Sequence, residues 1–265
     1  MKSNNSPIGI FDSGIGGTSI WKEITTLLPN ENTIYLSDSK NAPYGEKSKE
    51  EIINLSKKNT EFLLNLNCKI IIVACNTATT NAIKVLRHKY NVNFIGIEPA
   101  IKPAALKTKS NTIGILATKG TLNSELFEKT SSTISKQIII KEKIGTGLVE
   151  LIESGKITSK ETTTLLKNYI TPMINEDVDC LVLGCTHYPY LIPQIRELVG
   201  NKMQIIDSGE AVAKQTKAIL EQNNLLSNSN KKGIHQFYIN KNKKVLETLI
   251  SNDANKIITV TEKEF

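Results

Sequence analysis

Short apolar runs recur along this chain in the same order and at nearly one spacing, which confines it to a duplicated strand-based architecture. Ile8-Gly9-Ile10-Phe11-Asp12-Ser13 has a counterpart at Ile113-Gly114-Ile115-Leu116-Ala117-Thr118, 105 residues further on. Ile70-Ile71-Ile72-Val73-Ala74-Cys75-Asn76-Thr77 is matched 110 residues later by Cys180-Leu181-Val182-Leu183-Gly184-Cys185-Thr186-His187. Ile95-Gly96-Ile97-Glu98 is matched after 109 residues by Gln204-Ile205-Ile206-Asp207. All α/β strands look somewhat alike. The polar residues that close these runs also correspond, however, Ser13 with Thr118 and Cys75 with Cys185. Neighbouring repeats of this length imply two related domains rather than a solenoid.

Between the apolar runs lie amphipathic helical stretches, the pattern of parallel sheets with covering helices. Strands are expected at residues 8–12, 33–37, 69–74 and 94–97, then at 112–117, 137–141, 179–184 and 203–206. Helices are expected from Lys49 to Leu66, Thr162 to Ile174 and Ala211 to Glu221, and a loop from Leu226 to Lys232. Two further apolar runs, Ile234 to Ile239 and Ile257 to Val260, lie beyond the second repeat. They are expected to return to the first domain. The predicted fold class is α/β: two pseudo-symmetric domains with mainly parallel sheets flanked by helices and an active site between them. The domains would comprise residues 1–98 plus 208–265, and 99–207.

Composition narrows the partners. The 265 residues are 39% hydrophobic, ordinary for packed cores, and no run of about 18 apolar residues suggests a membrane span. Met1 to Pro7 is polar and lacks a signal-peptide apolar region. The four cysteines form no CxxC pair, so neither a disulfide framework nor a zinc site is expected. A reduced, cytoplasmic protein is the expectation. The net charge of +7 is scattered, and with 5% aromatics there is no basic–aromatic stripe of the kind that binds nucleic acid. A positive field would instead help attract an acidic small molecule.

The polar residues at strand ends carry the candidate chemistry, because ligands of parallel sheets gather at the carboxyl ends of strands. Asp12-Ser13-Gly14-Ile15-Gly16-Gly17 follows a strand and opens a helix. It reads either as a helix cap or as a ligand turn whose backbone approaches a small carboxylate. Cys75-Asn76-Thr77 presents a thiol near a helix N-terminus, where a thiolate is stabilised. Cys185-Thr186-His187-Tyr188-Pro189 adds an imidazole able to move a proton near neutral pH. Two thiols from duplicated strand ends can face one pocket from opposite sides. Inversion at a carbon requires this arrangement. A Cys–His nucleophile would leave Cys75 unexplained, and no second Cys/His pair supports a metal.

Cys68 and Cys180 lie at the opposite, amino ends of strands and read as packing residues. His88 reads as exposed, and His235 as structural without a visible partner. Asn41-Ala42-Pro43-Tyr44-Gly45 is a turn, in which Tyr44 and the Gly45 amide could close over a small substrate. Glu150, 106 residues beyond Tyr44, could assist Cys185 or His187, or simply face solvent.

The motifs Phe11-Asp12-Ser13-Gly14-Ile15-Gly16-Gly17, Pro43-Tyr44-Gly45, Ala74-Cys75-Asn76-Thr77-Ala78 and Leu183-Gly184-Cys185-Thr186-His187-Tyr188-Pro189 together resemble the cofactor-independent glutamate racemases, over residues 8 to about 210. That resemblance implies Cys75 and Cys185 as the two acid/base groups, with Asp12, Glu150 and His187 assisting. It implies substrate contacts from Asp12, Ser13, Tyr44, Gly45, Asn76, Thr77, Thr186 and His187. It further implies glutamate as substrate, no cofactor and no metal, a homodimer, and D-glutamate supply to peptidoglycan synthesis. An aspartate racemase or related amino-acid isomerase, and a non-enzymatic amino-acid-binding protein, are the alternative readings.

Overall fold

The computed structural model describes residues 3–253 and 256–265. Met1 and Lys2 of the polar N-terminal stretch, and Ala254 and Asn255 of the tail, lie outside them. In chain order the first half contains β1 (Ile8–Asp12), α1 (Thr18–Leu27), β2 (Thr33–Ser37), α2 (Lys49–Asn65), β3 (Ile70–Val73), α3 (Asn76–Lys89) and β4 (Asn93–Gly96). Then follow α4 (Ile101–Lys107), β5 (Thr112–Ala117), α5 (Lys119–Leu122), α6 (Glu125–Ser131), β6 (Ile139–Ile144), α7 (Leu148–Glu153), α8 (Lys160–Asn175), β7 (Cys180–Gly184), α9 (Ile192–Val199) and β8 (Gln204–Ile206). The chain ends with α10 (Gly209–Gln222), β9 (Ile234–Ile239), α11 (Lys243–Ile250) and β10 (Ile257–Glu262).

Among the described residues two sheets form, with orders β10-β9-β2-β1-β3-β4 and β6-β5-β7-β8, and every strand pair is parallel. The segment β2-β1-β3-β4 has the same order as β6-β5-β7-β8, so the duplication read in the sequence is also one of topology. The central strands β1, β3, β5 and β7 are buried throughout. Near-continuous Ile, Val and Leu runs suit them because helices cover both faces of a parallel sheet. Apolar side chains of both sheets share one cluster, which includes Ile10 and Ile72 with Leu116 and Leu183.

The tail returns to the first sheet, as expected. β9 lies beside β2 with Phe237 opposite Tyr35, and β10 beside β9. Trp21 of α1 packs edge-on against Phe237, with ring centroids 4.9 Å apart. His235 has a partner that the sequence did not reveal: its Nδ1 lies 2.9 Å from the Thr33 hydroxyl. Burial, reinforced by Lys256, pushes its pKa down to about 4. His88 is exposed and Cys68 is buried. β6 runs three residues past its predicted end, through the charged Lys141-Glu142-Lys143. As an edge strand it keeps one side open to solvent, which tolerates those charges.

The amino end of the first sheet is clamped by a buried ion pair. Lys69 Nζ lies 2.6 Å from Glu31 Oε2, with both side chains almost fully buried. The ammonium also donates to the carbonyls of Asn4 and Leu225, and Glu31 Oε1 accepts the Ser227 amide. The N-terminal arm and the segment leading into the tail are thus held to one charge pair. Among the described residues, no helix is long and apolar enough to cross a membrane.

Candidate active site

The parallel register brings the carboxyl ends of β1, β3, β5 and β7 together, with Ser13, Cys75, Thr118 and Cys185 each just past a strand. Both thiols line one enclosed cavity, together with Ser13, Tyr44, Gly45, Asn76, Thr77, Thr186 and His187. Cys75 and Cys185 are 4% and 7% exposed, so neither is an ordinary surface thiol. Cys75 caps α3, its sulfur accepting the Ala78 amide at 3.4 Å, and it donates toward Ser13 Oγ at 3.5 Å. Burial raises the Cys75 pKa strongly and the Asp12 carboxylate raises it further, against the Ala78 and Ser13 hydrogen bonds. Both effects favour the thiol form of Cys75 over the thiolate.

Cys185 sits in a different environment. Its sulfur is 3.7 Å from His187 Nδ1, and His187 Nε2 is 2.6 Å from Glu153 Oε1. Burial opposes a charge on the imidazole, but the hydrogen bonds to Cys185 and Glu153 overcome it and raise its pKa well above the usual histidine range. Glu153 is anchored by the Ile15 amide at 2.6 Å and the Ser39 hydroxyl at 2.7 Å. The two thiols thus differ in kind: one is backed by a histidine–carboxylate pair, the other by Ser13 and a helix N-terminus.

Asp12 lies behind the cavity wall rather than on it. It is fully buried and accepts the Gly17 amide at 2.7 Å, with the Thr186 hydroxyl 3.4 Å from each carboxylate oxygen. Burial pushes its pKa up to about 6, with His187 and the Gly17 amide pulling the other way. The consequence for stability has a definite sign. A carboxyl that holds its proton more tightly when folded weakens the fold above about pH 6, and that cost is relieved as pH falls from about 6 toward the unfolded value near 4. Asp12→Asn should therefore stabilise the protein at pH 7.5, by on the order of 2 kcal/mol, while depressing activity. Urea denaturation of both proteins at pH 7.5 and pH 5 checks this: the advantage of the variant must shrink at the lower pH.

Asn76 is 3% exposed, and neither its amide oxygen nor its nitrogen has a hydrogen-bond partner among the described residues. Buried polar atoms rarely stay unpaired, so this amide is free to bind a ligand in the cavity it lines. Tyr44 is buried, and its hydroxyl turns away to donate to Asp38 at 2.5 Å and to accept from Asn59 at 3.2 Å. Its ring lines the cavity while its polar end pins the Pro43–Gly45 turn.

Glu150 departs from its expected role. It is exposed and forms part of the wall of an adjoining, open cleft rather than of the thiol cavity, and it is Glu153 that meets His187. Both lie on α7, where Val149 lines the cavity. Glu153 is one turn beyond Val149 on the same face, whereas Glu150 is rotated by about 100° from it. Glu153→Gln should lower kcat by about 10- to 100-fold and shift the pH profile, because His187 loses its charged partner. Glu150→Gln should remain near wild type in the same steady-state assay. Thr118, expected at a strand end but given no role, and Thr121, not singled out, also belong here. Their hydroxyls lie 2.8 and 3.2 Å from that of Thr77. The correspondence of Thr118 with Ser13 was the signal that could have found it.

The Asp/Glu/hydantoin racemase family model matches residues 8–216. The chain belongs to that family. The glutamate racemase of Herpetosiphon aurantiacus is 41% identical to it over 229 residues, covering 86% of this chain and 90% of the relative. Among solved structures, a glutamate racemase isoform of Bacillus anthracis superposes with a TM-score of 0.87 at 30% identity, covering 99% of this chain and 98% of that one. A glutamate racemase of Francisella tularensis in complex with D-glutamate gives 0.82 at 28% identity, covering 98% of each chain. Family membership accounts for the paired parallel sheets. It also gives the family resemblance read from the four motifs an independent footing.

Proposed function

We propose that this protein is a glutamate racemase that interconverts L- and D-glutamate by proton transfer to and from opposite faces of the α-carbon. The observation that carries this reading is the pair of buried thiols, Cys75 and Cys185, on the wall of one enclosed cavity. One sulfur, as thiolate, removes the α-proton. The electron pair left on carbon delocalises into the carboxylate, and the opposite thiol gives its proton to the other face. The first sulfur is then the thiol and the second the thiolate, so the reverse reaction uses the same two groups with exchanged roles.

The difficult step is the build-up of carbanion character beside a carboxylate. The unpaired Asn76 amide, the hydroxyls of Thr77 and Thr186 and the N-terminus of α3 are placed to hold the carboxylate and stabilise that charge. Exclusion of water strengthens each of these interactions. His187, held by Glu153, exchanges a proton with Cys185. Asp12 sits between Thr186 and Ser13 and performs the corresponding service toward Cys75. Residues 1–98 plus 208–265 and 99–207 form the two domains that bring these groups together. The physiological setting would be a bacterial cytoplasm, with a homodimer supplying D-glutamate for peptidoglycan.

Polarimetry with purified protein and either enantiomer of glutamate, without added cofactor, tests the reading. Optical rotation should decay to zero from both starting enantiomers. The aspartate enantiomers in the same cell separate the related racemase activity. Unchanged rotation with both amino acids would reject the assignment.

A further inference from the structure

The cavity between the two thiols has a volume of about 10 Å³, room for about one water and far too little for an amino acid. Beside it lies an open vestibule of about 790 Å³. The two share Pro43, Gly45, Thr118 and Val149 as a common wall. At that wall the turn after β2 meets α5 backbone to backbone. A Cβ placed on Gly120 would lie 3.1 Å from both Cα and O of Gly45 and 2.9 Å from Cγ2 of Thr77. One placed on Gly45 would lie 2.8 Å from Cβ of Thr118. The Asn81 side chain spans the same junction, donating to the carbonyls of Gly120 at 3.1 Å and Thr77 at 2.9 Å. The hydroxyls of Thr77, Thr118 and Thr121 meet there too. On the outer rim, Lys49 of α2 pairs with Glu125 of α6 at 3.0 Å.

We infer that this seam is the door through which substrate reaches the two thiols, and that Gly120 is a positioning residue whose missing side chain lets the door shut. The two strand-and-helix halves contribute one side of the seam each: Gly45, Thr77 and Asn81 follow β2 and β3, while Thr118, Gly120 and Thr121 follow β5. Hydroxyl and amide contacts can part and re-form at little cost, unlike an apolar seam. A glycine-to-glycine contact permits closure until the cavity has room for only about one water. A methyl group at position 120 meets backbone atoms of Gly45, which cannot rotate away as the end of a side chain could. It therefore holds the seam ajar.

This rests on the racemase reading for its kinetic arm only; the reactivity of the thiols tests it independently. The wild-type protein, Gly120→Ala and Gly120→Val are treated with iodoacetamide, and modification of each cysteine is followed by peptide mass spectrometry. Cys75 and Cys185 should be alkylated several-fold faster in Gly120→Ala and faster still in Gly120→Val. Cys68 and Cys180, buried at the opposite strand ends, should stay at the wild-type rate and so report that the fold is intact. In racemisation, kcat should fall by about 10- to 100-fold, with a smaller change in KM.

Glu125→Lys replaces attraction by repulsion on the exposed rim without touching the core. It should raise Cys75 and Cys185 reactivity about twofold at low salt, an increase that high salt removes. This variant decides the matter should both Gly120 variants fail to fold. Wild-type protection of Cys75 and Cys185 in folded Gly120 variants, or in Glu125→Lys at low salt, would overturn the inference. Absence of racemisation by wild-type protein would remove the proposed reaction and leave the thiol result standing.

Discussion

Cys75→Ser and Cys185→Ser should each lower the racemisation rate by about 10²- to 10⁴-fold, the usual worth of a positioned acid or base. A serine hydroxyl is nearly isosteric with the thiol but is a far weaker acid, so it can neither rest as an anion nor give up its proton readily. The two variants should nevertheless differ. In heavy water, each retains one working sulfur, which removes and returns a hydrogen on a single face. Deuterium should thus enter the α-carbon of one enantiomer with Cys75→Ser and of the other with Cys185→Ser. Mass spectrometry of recovered glutamate, separated by enantiomer, reads this directly. Full racemisation by either variant would mean that a single base serves both faces, and the two-thiol mechanism would fall.

The same experiment addresses the unlike settings of the sulfurs. Cys185 has His187 and Glu153 behind it, whereas burial and Asp12 push the Cys75 pKa upward. Glu153→Gln should therefore impair exchange of the enantiomer handled by Cys185 more than the other. A symmetric site would lose both equally.

The largest effect on stability is expected at the far end of the molecule. Lys69→Met removes one member of the buried pair with Glu31 and leaves an uncompensated carboxylate beneath the first sheet. Such a loss costs about 3–5 kcal/mol, a large share of the roughly 5–15 kcal/mol that typically separates folded from unfolded protein. Burial already pulls the Lys69 ammonium below its ordinary pKa, with Glu31 working to restore it. The charge therefore depends on its partner. The double variant Lys69→Met, Glu31→Leu should regain at least half of the lost stability, because it removes the orphaned charge. Guanidinium denaturation midpoints of the single and double variants measure this. A single variant as stable as wild type would show that the pair contributes nothing to the fold.

Much of this architecture could be read from residue order. Ile70-Ile71-Ile72-Val73 and Leu181-Val182-Leu183 are apolar without alternation, which only a strand covered on both faces tolerates. The matched polar residues after them located both thiols, Asn76, Thr77, Thr186 and His187 at strand ends. The helix expected from Lys49 to Leu66 is α2, whose start a capping box of Ser48 and Glu51 fixes in the structure. The apolar runs of the tail lay beyond the second repeat, and their strands extend the first sheet beyond β2.

Elsewhere local sequence was silent. Glu150 and Glu153 are the same residue type on one helix, and only the way α7 is turned toward the cavity decides which carboxylate reaches His187. The pairing of His235 with Thr33 joins residues about two hundred apart, and Tyr44 meets Asp38 through a turn whose direction no propensity encodes. The seam at Gly45 and Gly120 is invisible in sequence, since a glycine required by a close contact and one required by a turn read alike.

The order of residues alone determined that this chain makes two copies of one parallel unit and ends its strands in a matched pair of thiols, because strand burial and side-chain chemistry are local properties. Tertiary structure alone decided which carboxylate holds the histidine, how different the surroundings of the two sulfurs are, and how tightly the cavity between them shuts. Those outcomes depend on distances of a few ångströms between segments far apart in the chain. Charge, desolvation and steric contact change steeply over such distances, and nothing in a linear pattern specifies them.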